Sequence, residues 1–374
     1  MADVNLIRGA VRTGYLYIHI PFCLKKCGYC DFYSIVLDDS TTAPYLDALK
    51  GELLLRRREL GLIRTIFIGG GTPALLEASA LAALMAFIQR NFKLAPDVEV
   101  TIEANPLTID SPKLDILRSS GINRLSLGVQ SLDDGVLRTL GRLHDARQAH
   151  KAIEAVVRSF DNFSIDLIYA VPGQSLDSWR TTLLEVLSYT PAHVSAYELS
   201  IEPSVPLARA GLVLPSEDVA IGMFELVADC LTQSGYLHYE ISNYARPYFQ
   251  CFHNLNYWRS GQYVGIGAGA HSYVDGRRFS NVADVKTYIA AISASKLAIE
   301  GIEEVTPQLA FEESIFLGLR TTEGVKVAKS RIVSELETEG LVLYENGALR
   351  LTRKGMLLSN RVIAEVIQNQ PPSL

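Results

Sequence analysis

Between Tyr15 and about Tyr236 the chain alternates short apolar runs, rich in β-branched and aromatic residues, with longer stretches in which apolar residues recur at helical spacing. That alternation is the pattern of repeated strand–helix units. Strands are predicted over residues 15–20, 65–68, 98–103, 124–128, 163–169 and 194–199. Helices are predicted over about 43–60, 79–92, 111–120, the pair 134–140 and 147–160, then 176–189 and 216–234. Gly61, Gly121 and Gly235 fall where three of these helices should stop, the place of a left-handed glycine. Six units are too few for a closed eight-fold barrel. The reading is therefore an α/β fold, an open partial (β/α)6 barrel over residues 15–236, with an extension over 1–14 in front of it.

Beyond it the pattern becomes irregular. Residues 237–306 are dense in Tyr, Gly, Asn and His up to about Ser280 and include CFHNLNYW and GIGAGAHSY, a composition that predicts ordered loops and short strands over a site. A helix follows at about 283–295, and Pro307 opens a small domain, 307–374. Helices are predicted there over 309–317 and 327–339, then a hairpin in LVLYENGALRLT turning at Asn346-Gly347, then a helix over about 354–367. The order is winged-helix-like, but near-neutral charge argues against DNA, and the domain is expected to pack against the barrel mouth.

Composition changes this picture little. With 48% apolar and 20% charged residues the chain is of ordinary globular type, and its net charge of −6 gives no basic face for nucleic acid. No apolar run approaches the roughly 18 residues of a membrane span, and the N-terminus lacks a secretory apolar core. A cytoplasmic location is expected, in keeping with few cysteines, three of them clustered.

Those three, Cys23, Cys27 and Cys30, follow the first strand at C-x3-C-x2-C spacing. Three thiolates can hold three irons of a [4Fe–4S] cluster, leaving the fourth open to a substrate. A zinc site with a fourth ligand nearby, or three unrelated thiols, are the alternatives. The other unusual polar residues fall at predicted strand ends, where a parallel barrel gathers its ligands. Strand two runs into Gly69-Gly70-Gly71-Thr72-Pro73, whose backbone can approach a ligand and offer N–H groups to a carboxylate, although a flexible turn is the plain alternative. Strand three ends in Glu103 and Asn105, strand four in Ser126, Gly128 and Gln130, and strand five carries Asp166 inside FSIDLIYAVPG. A carboxylate in such a run needs a partner, and a structural ion pair with Arg142 or Arg124 would supply one. GIGAGA, residues 265–270, lacks a following helix and is not read as a dinucleotide site.

The cysteine spacing and GGGTP resemble the radical S-adenosylmethionine (radical SAM) superfamily, in which the open iron takes the amino and carboxylate groups of SAM. NRLSLGVQS, GRLH, DLIYAVPGQ and the small C-terminal domain extend the resemblance, from about residue 14 to the C-terminus, to oxygen-independent coproporphyrinogen III oxidase and its relatives. By that resemblance Tyr17, Gly70, Gly71, Thr72, Glu103, Gln130, Arg142 and Asp166 match SAM-contacting positions. The oxidase has a further cysteine two positions after its third ligand, where this chain has Phe32. The chain also carries His253-Asn254-Leu255-Asn256-Tyr257-Trp258, the H-N-x-x-Y-W motif of the HemW-type heme chaperones.

The resemblance thus implies a chaperone that binds heme and passes it to accepting proteins, with SAM and a [4Fe–4S] cluster on the same scaffold. Contact with heme proteins at a membrane and a homodimer through the cluster region are compatible with it. The alternative is an enzyme that decarboxylates the propionates of coproporphyrinogen III. His253 offers an imidazole for heme iron and Cys251 a thiolate, while Tyr257 and Trp258 offer flat apolar surface. A hydrogen-bonded loop anchor is the structural alternative for His253, His271 carries the same doubt and is not assigned, and Cys230 reads as a core residue.

Overall fold

A computed structural model of the protein describes residues 12–370. Residues 1–11, most of the expected extension, lie outside them. Six strand–helix units come first: β1 (Thr13–Ile20), α1 (Asp39–Leu55), β2 (Leu60–Gly70), α2 (Ala78–Asn91), β3 (Leu94–Ala104), α3 (Ser111–Ser119), β4 (Arg124–Gln130), α4 (Asp134–Thr139), α5 (Ala146–Ser159), β5 (Phe163–Tyr169), α6 (Leu176–Ser188), β6 (His193–Glu198) and α7 (Glu217–Gln233). All six strands are parallel in sequence order. The partial barrel follows from their two-residue period. Leu16, Ile18, Ile66, Ile68, Val100, Ile102, Leu125, Leu127, Ile165 and Leu167 are buried in one cluster with Leu49, Leu84, Ile153 and Leu183 of the helices. The alternate positions, among them Glu103, Arg124, Ser126 and Asp166, form a polar lining on the other face.

The segment expected to form ordered loops and short strands extends this sheet at both ends. β7 (Leu237–Glu240) and β8 (Asn243–Ala245) add an antiparallel edge beside β6. HNLNYW is not a loop but a short helix, α8 (Phe252–Trp258), and β9 (Val264–Ile266), which runs into the start of GIGAGA, pairs parallel with β1. Then β10 (His271–Val274), β11 (Arg277–Asn281), α9 (Val285–Ser293) and β12 (Ile299–Glu304) build a three-stranded antiparallel sheet on the β9 side. Gly61 is a second correction: it lies within β2 and closes no helix. α1 stops at Leu55, where Arg56 turns in to bond Glu59, the Gly265 carbonyl and Ser272. Gly121 and Gly235 do take the left-handed conformation.

The last part has its own core, including Ile315, Leu319, Val333, Leu336, Leu349 and Val362. It comprises α10 (Pro307–Gly318), β13 (Val325–Lys326), α11 (Arg331–Thr338), β14 (Val342–Glu345), β15 (Ala348–Leu351), α12 (Arg353–Leu357) and α13 (Ser359–Asn369). Asn346 and Gly347 both have positive φ, as a tight hairpin requires. Leu357 and Leu358 of this domain share a cavity with Ala170, Glu198 and Leu199 at the ends of β5 and β6, beside the mouth. The domain docks beside it, with Arg353 on Asp229 of α7 at 2.6 Å and Ile241 N–H donating to the Arg320 carbonyl at 3.1 Å. Among the described residues no helix is long and apolar enough to cross a membrane.

Candidate functional site

β1 delivers the chain to the cysteines through Pro21. Phe22–Cys23 pairs in parallel with Ile35–Val36, and Ile35 N–H donates to the Pro21 carbonyl at 2.8 Å, so the intervening loop is tied off at its base. Cys23, Cys27 and Cys30 are half-buried and face one cavity of about 430 Å³ at the C-terminal ends of the strands. Among the described residues no three His, Cys, Asp or Glu side chains are arranged for a single metal ion. Three thiols around an open volume fit a polynuclear cluster better than zinc. Burial pushes the thiols of Cys23 and Cys30 up, so a cationic group must favour their ionised forms. Arg142 already serves Cys27: its Nη1 donates to the Sγ at 3.4 Å, while Nη2 donates to Asn105 Oδ1 and the Gly128 carbonyl.

The facing wall is built from strand ends. Gly70, Gly71, Thr72, Glu103, Gln130, Arg142 and Asp166 all line the same cavity as the cysteines. The Glu103 carboxylate accepts from Gly70 N–H at 3.0 Å, and burial, with Asp166 nearby, pushes its carboxyl up to about 7. Gln130 and Ala170 hold positive φ just where β4 and β5 end, backbone conformations that cost energy in a residue with a side chain.

The glycines act differently from expectation. The N–H groups of Gly70, Gly71 and Thr72 are engaged, by Glu103, the Ile20 carbonyl and the Phe22 carbonyl. They are not left for a ligand carboxylate. Their smallness serves close approach: a Cβ on Gly71 would fall 2.7 Å from the Phe22 oxygen and 2.8 Å from the Pro21 carbonyl. Gly71→Val should therefore push the base of the cysteine loop away, at a cost of about 1–3 kcal/mol or more. Iron content and SAM affinity should fall together. An intact cluster with SAM binding alone lost would place the side chain in ligand space instead.

Among the described residues Asp166 forms no ion pair. Its carboxylate accepts from Ser126 (2.7 Å), Ser164 (2.8 Å) and Ser195 (2.7 Å), each from the polar face of a neighbouring or its own strand. Since Ser164 donates to Asp166, it accepts from His193 Nδ1 at 2.8 Å, and His193 Nε2 accepts from the Tyr239 hydroxyl at 2.7 Å. Arg124, fully buried lower in the lining, makes no ion pair with Asp166 either, and its Nε has no partner.

Two expected site residues are elsewhere. Tyr17 does not line the cavity; its hydroxyl bonds His19 Nδ1 at 2.9 Å one layer below. His253 is not placed to bind heme. It is fully buried, with Nδ1 bonded to Thr65 Oγ1 at 2.7 Å and Nε2 to the Tyr257 hydroxyl at 2.8 Å. Burial, helped by Arg124, pushes its imidazole down to about 3, so it is a neutral pillar. α8 stands there because the Glu99 carboxylate accepts the N–H groups of Phe252 and His253 at 3.1 and 3.0 Å. Cys251 is also fully buried, and burial pushes its thiol up to about 12, far from a thiolate.

Sequence reasoning missed Tyr197 and Glu198, which line the cavity from the end of β6. The strand-end rule applied to the sixth strand would have found them. It also missed the serine set around Asp166, whose only signal was polar residues at alternate strand positions.

The Radical SAM superfamily model matches residues 17–186. The chain is similar to "Heme chaperone HemW" of Bacillus subtilis, 37% identical over 367 residues that cover 92% of this chain and 97% of that one. It is 41% identical over 272 residues to the protein of the same name from Escherichia coli, covering 70% and 71%. Among solved structures it resembles coproporphyrinogen III oxidase (HemN) from Escherichia coli, described as a radical SAM enzyme, with a TM-score of 0.83 and 25% identity over 96% of this chain and 91% of that one.

Proposed function

The chain belongs to the HemW heme chaperone family on a radical SAM scaffold, and from that premise we propose that it binds heme and passes it to accepting proteins, holding a [4Fe–4S] cluster on Cys23, Cys27 and Cys30. The observation that carries the cofactor part is the common cavity of those cysteines with Thr72, Glu103, Gln130, Arg142 and Asp166. The cluster would supply one-electron chemistry and an open iron. The chain's own residues bind and orient. Glu103 offers a carboxylate to the N–H groups of an amino group, Asp166 offers a carboxylate already fixed by three hydroxyls, and Arg142 holds positive charge against Cys27. A cytoplasmic site of action and contact with membrane-bound heme proteins agree with this reading.

The Glu103 carboxyl sets a pH dependence. An acid near 7 gains charge as pH rises, so the N–H groups of a ligand amino group are held better above 7 than below. SAM affinity should rise by up to roughly eightfold between about pH 6 and 7.5 as ionisation rises from about a tenth to three quarters. In Glu103→Gln it should be weak and flat. An equal slope in the variant would assign the titration to another group.

The oxidase reading rests on the HemN likeness over nearly the whole chain. Against it stands Phe32, 67% exposed at the cavity, where the oxidase has cysteine. Anaerobic protein should show cluster absorbance, take up heme, and release it to an apo-heme protein. Conversion of coproporphyrinogen III without heme transfer would reverse the assignment.

A further inference from the structure

The chain has seven histidines, all within the described residues. Six are tied down through a ring nitrogen: His19 to Tyr17 and the Tyr33 carbonyl, His144 to the Val129 carbonyl, His150 to Tyr189, His193 to Ser164 and Tyr239, His238 to the Ile241 carbonyl, and His253 to Thr65 and Tyr257. His271 alone is exposed and has no hydrogen bond at its ring. His144 also keeps a free Nδ1 and lines the cysteine cavity, but it is buried, so His271 is the one histidine open to solvent among the described residues.

Its position is fixed by the sheet. β10 alternates, with Ser272 and Val274 buried and His271 and Tyr273 turned outward. Ser272 is locked inward because its Oγ accepts Gly265 N–H and Arg56 Nη1, both at 2.9 Å. Opposite His271 on β11 is Ser280, a small neighbour that leaves the ring face open, and opposite Tyr273 is Arg278. Two residues before His271, Gly269 presses on the cysteine loop: a Cβ there would fall 2.9 Å from the Tyr33 ring. His271 thus stands two residues from the contact with the strap that carries the cysteines, on the same face of β10 as Tyr273, and that strap bears Tyr33, stacked on His19, and the exposed Phe32.

Resting on the heme chaperone reading, the geometry points to His271 as the axial ligand of bound heme, with the porphyrin laid against Tyr273 and Tyr33 at the edge of the cysteine loop. Aromatic rings provide flat apolar contact for the macrocycle, and the nitrogen supplies the bond to iron. The cargo then sits outside the SAM cavity, next to the cluster-bearing strap, where an accepting protein can reach it.

The test adds hemin to the anaerobically purified, cluster-loaded full chain and follows the Soret band and the heme electron paramagnetic resonance signal. Wild type should show a histidine-ligated spectrum. His271→Ala should lose that signature and on the order of tenfold or more in affinity, keep the cluster absorbance, and recover the spectrum on addition of free imidazole. Tyr273→Leu should weaken binding without changing the ligand signature. Unchanged heme spectrum and affinity in His271→Ala, with loss in His253→Ala, would overturn the assignment while leaving the chaperone reading intact. Failure of the wild type itself to bind hemin would overturn the chaperone reading and this site with it.

Discussion

Cys27→Ala is expected to remove the iron–sulfur absorbance and nearly all bound iron, the largest single change available in this chain. With one of three ligands gone, the remaining two thiols cannot hold the cluster on three irons. Cys27 also accepts the Arg142 hydrogen bond, so the variant leaves a buried guanidinium with one partner fewer. SAM binding should fall with the cluster because the open iron is lost. Cys230→Ala is the control: that residue packs on the outside of the main core from α7, and its truncation should leave the iron content unchanged. Full iron and sulfide in Cys27→Ala protein would sink the ligand assignment.

Glu99→Ala should destabilise the barrel by about 3–5 kcal/mol, the range for removing one partner from a buried charged set. The Glu99 carboxylate is buried, accepts two N–H groups at the start of α8, and faces the buried charge of Arg124. Its loss orphans both N–H groups and takes away one of the acidic groups that face Arg124, leaving Asp166. Denaturant unfolding of the main domain reads the effect, and the small domain, with its own core, should unfold separately and unshifted. Glu99→Gln keeps an acceptor but not the countercharge and should fall between. A loss below about 1 kcal/mol in Glu99→Ala would mean that other groups or water balance Arg124. Undocking of α8 in this variant would also free His253, so any new heme spectrum should disappear in the double variant with His253→Ala.

The strands and helices of the barrel were legible because their signal is periodic and local, and the best-read strand, Phe163–Tyr169, is apolar at five of its seven positions. The first helix was read too long because Arg56 to Leu60 continue a helical pattern in sequence, while in the fold Glu59 and Leu60 are claimed by pairing with β1. α8 was read as a loop because seven residues carry too little periodicity, and its N-terminal cap, Glu99, lies 154 positions from His253.

The same distinction governs the site. The chain itself determined what is written within a few positions: three cysteines within eight residues, glycines after a strand, and polar residues at strand ends that parallel topology must bring together. Only the tertiary structure decided which groups remain free, because that depends on partners remote in sequence. Thr65 takes one nitrogen of His253 across 188 positions, Ile20 and Phe22 take the glycine-loop N–H groups, and three serines on three strands replace the expected arginine at Asp166. A buried polar group must be satisfied by whichever neighbour the fold supplies, so the residue left open to solvent, His271, could be identified only after every other histidine had been given its partner.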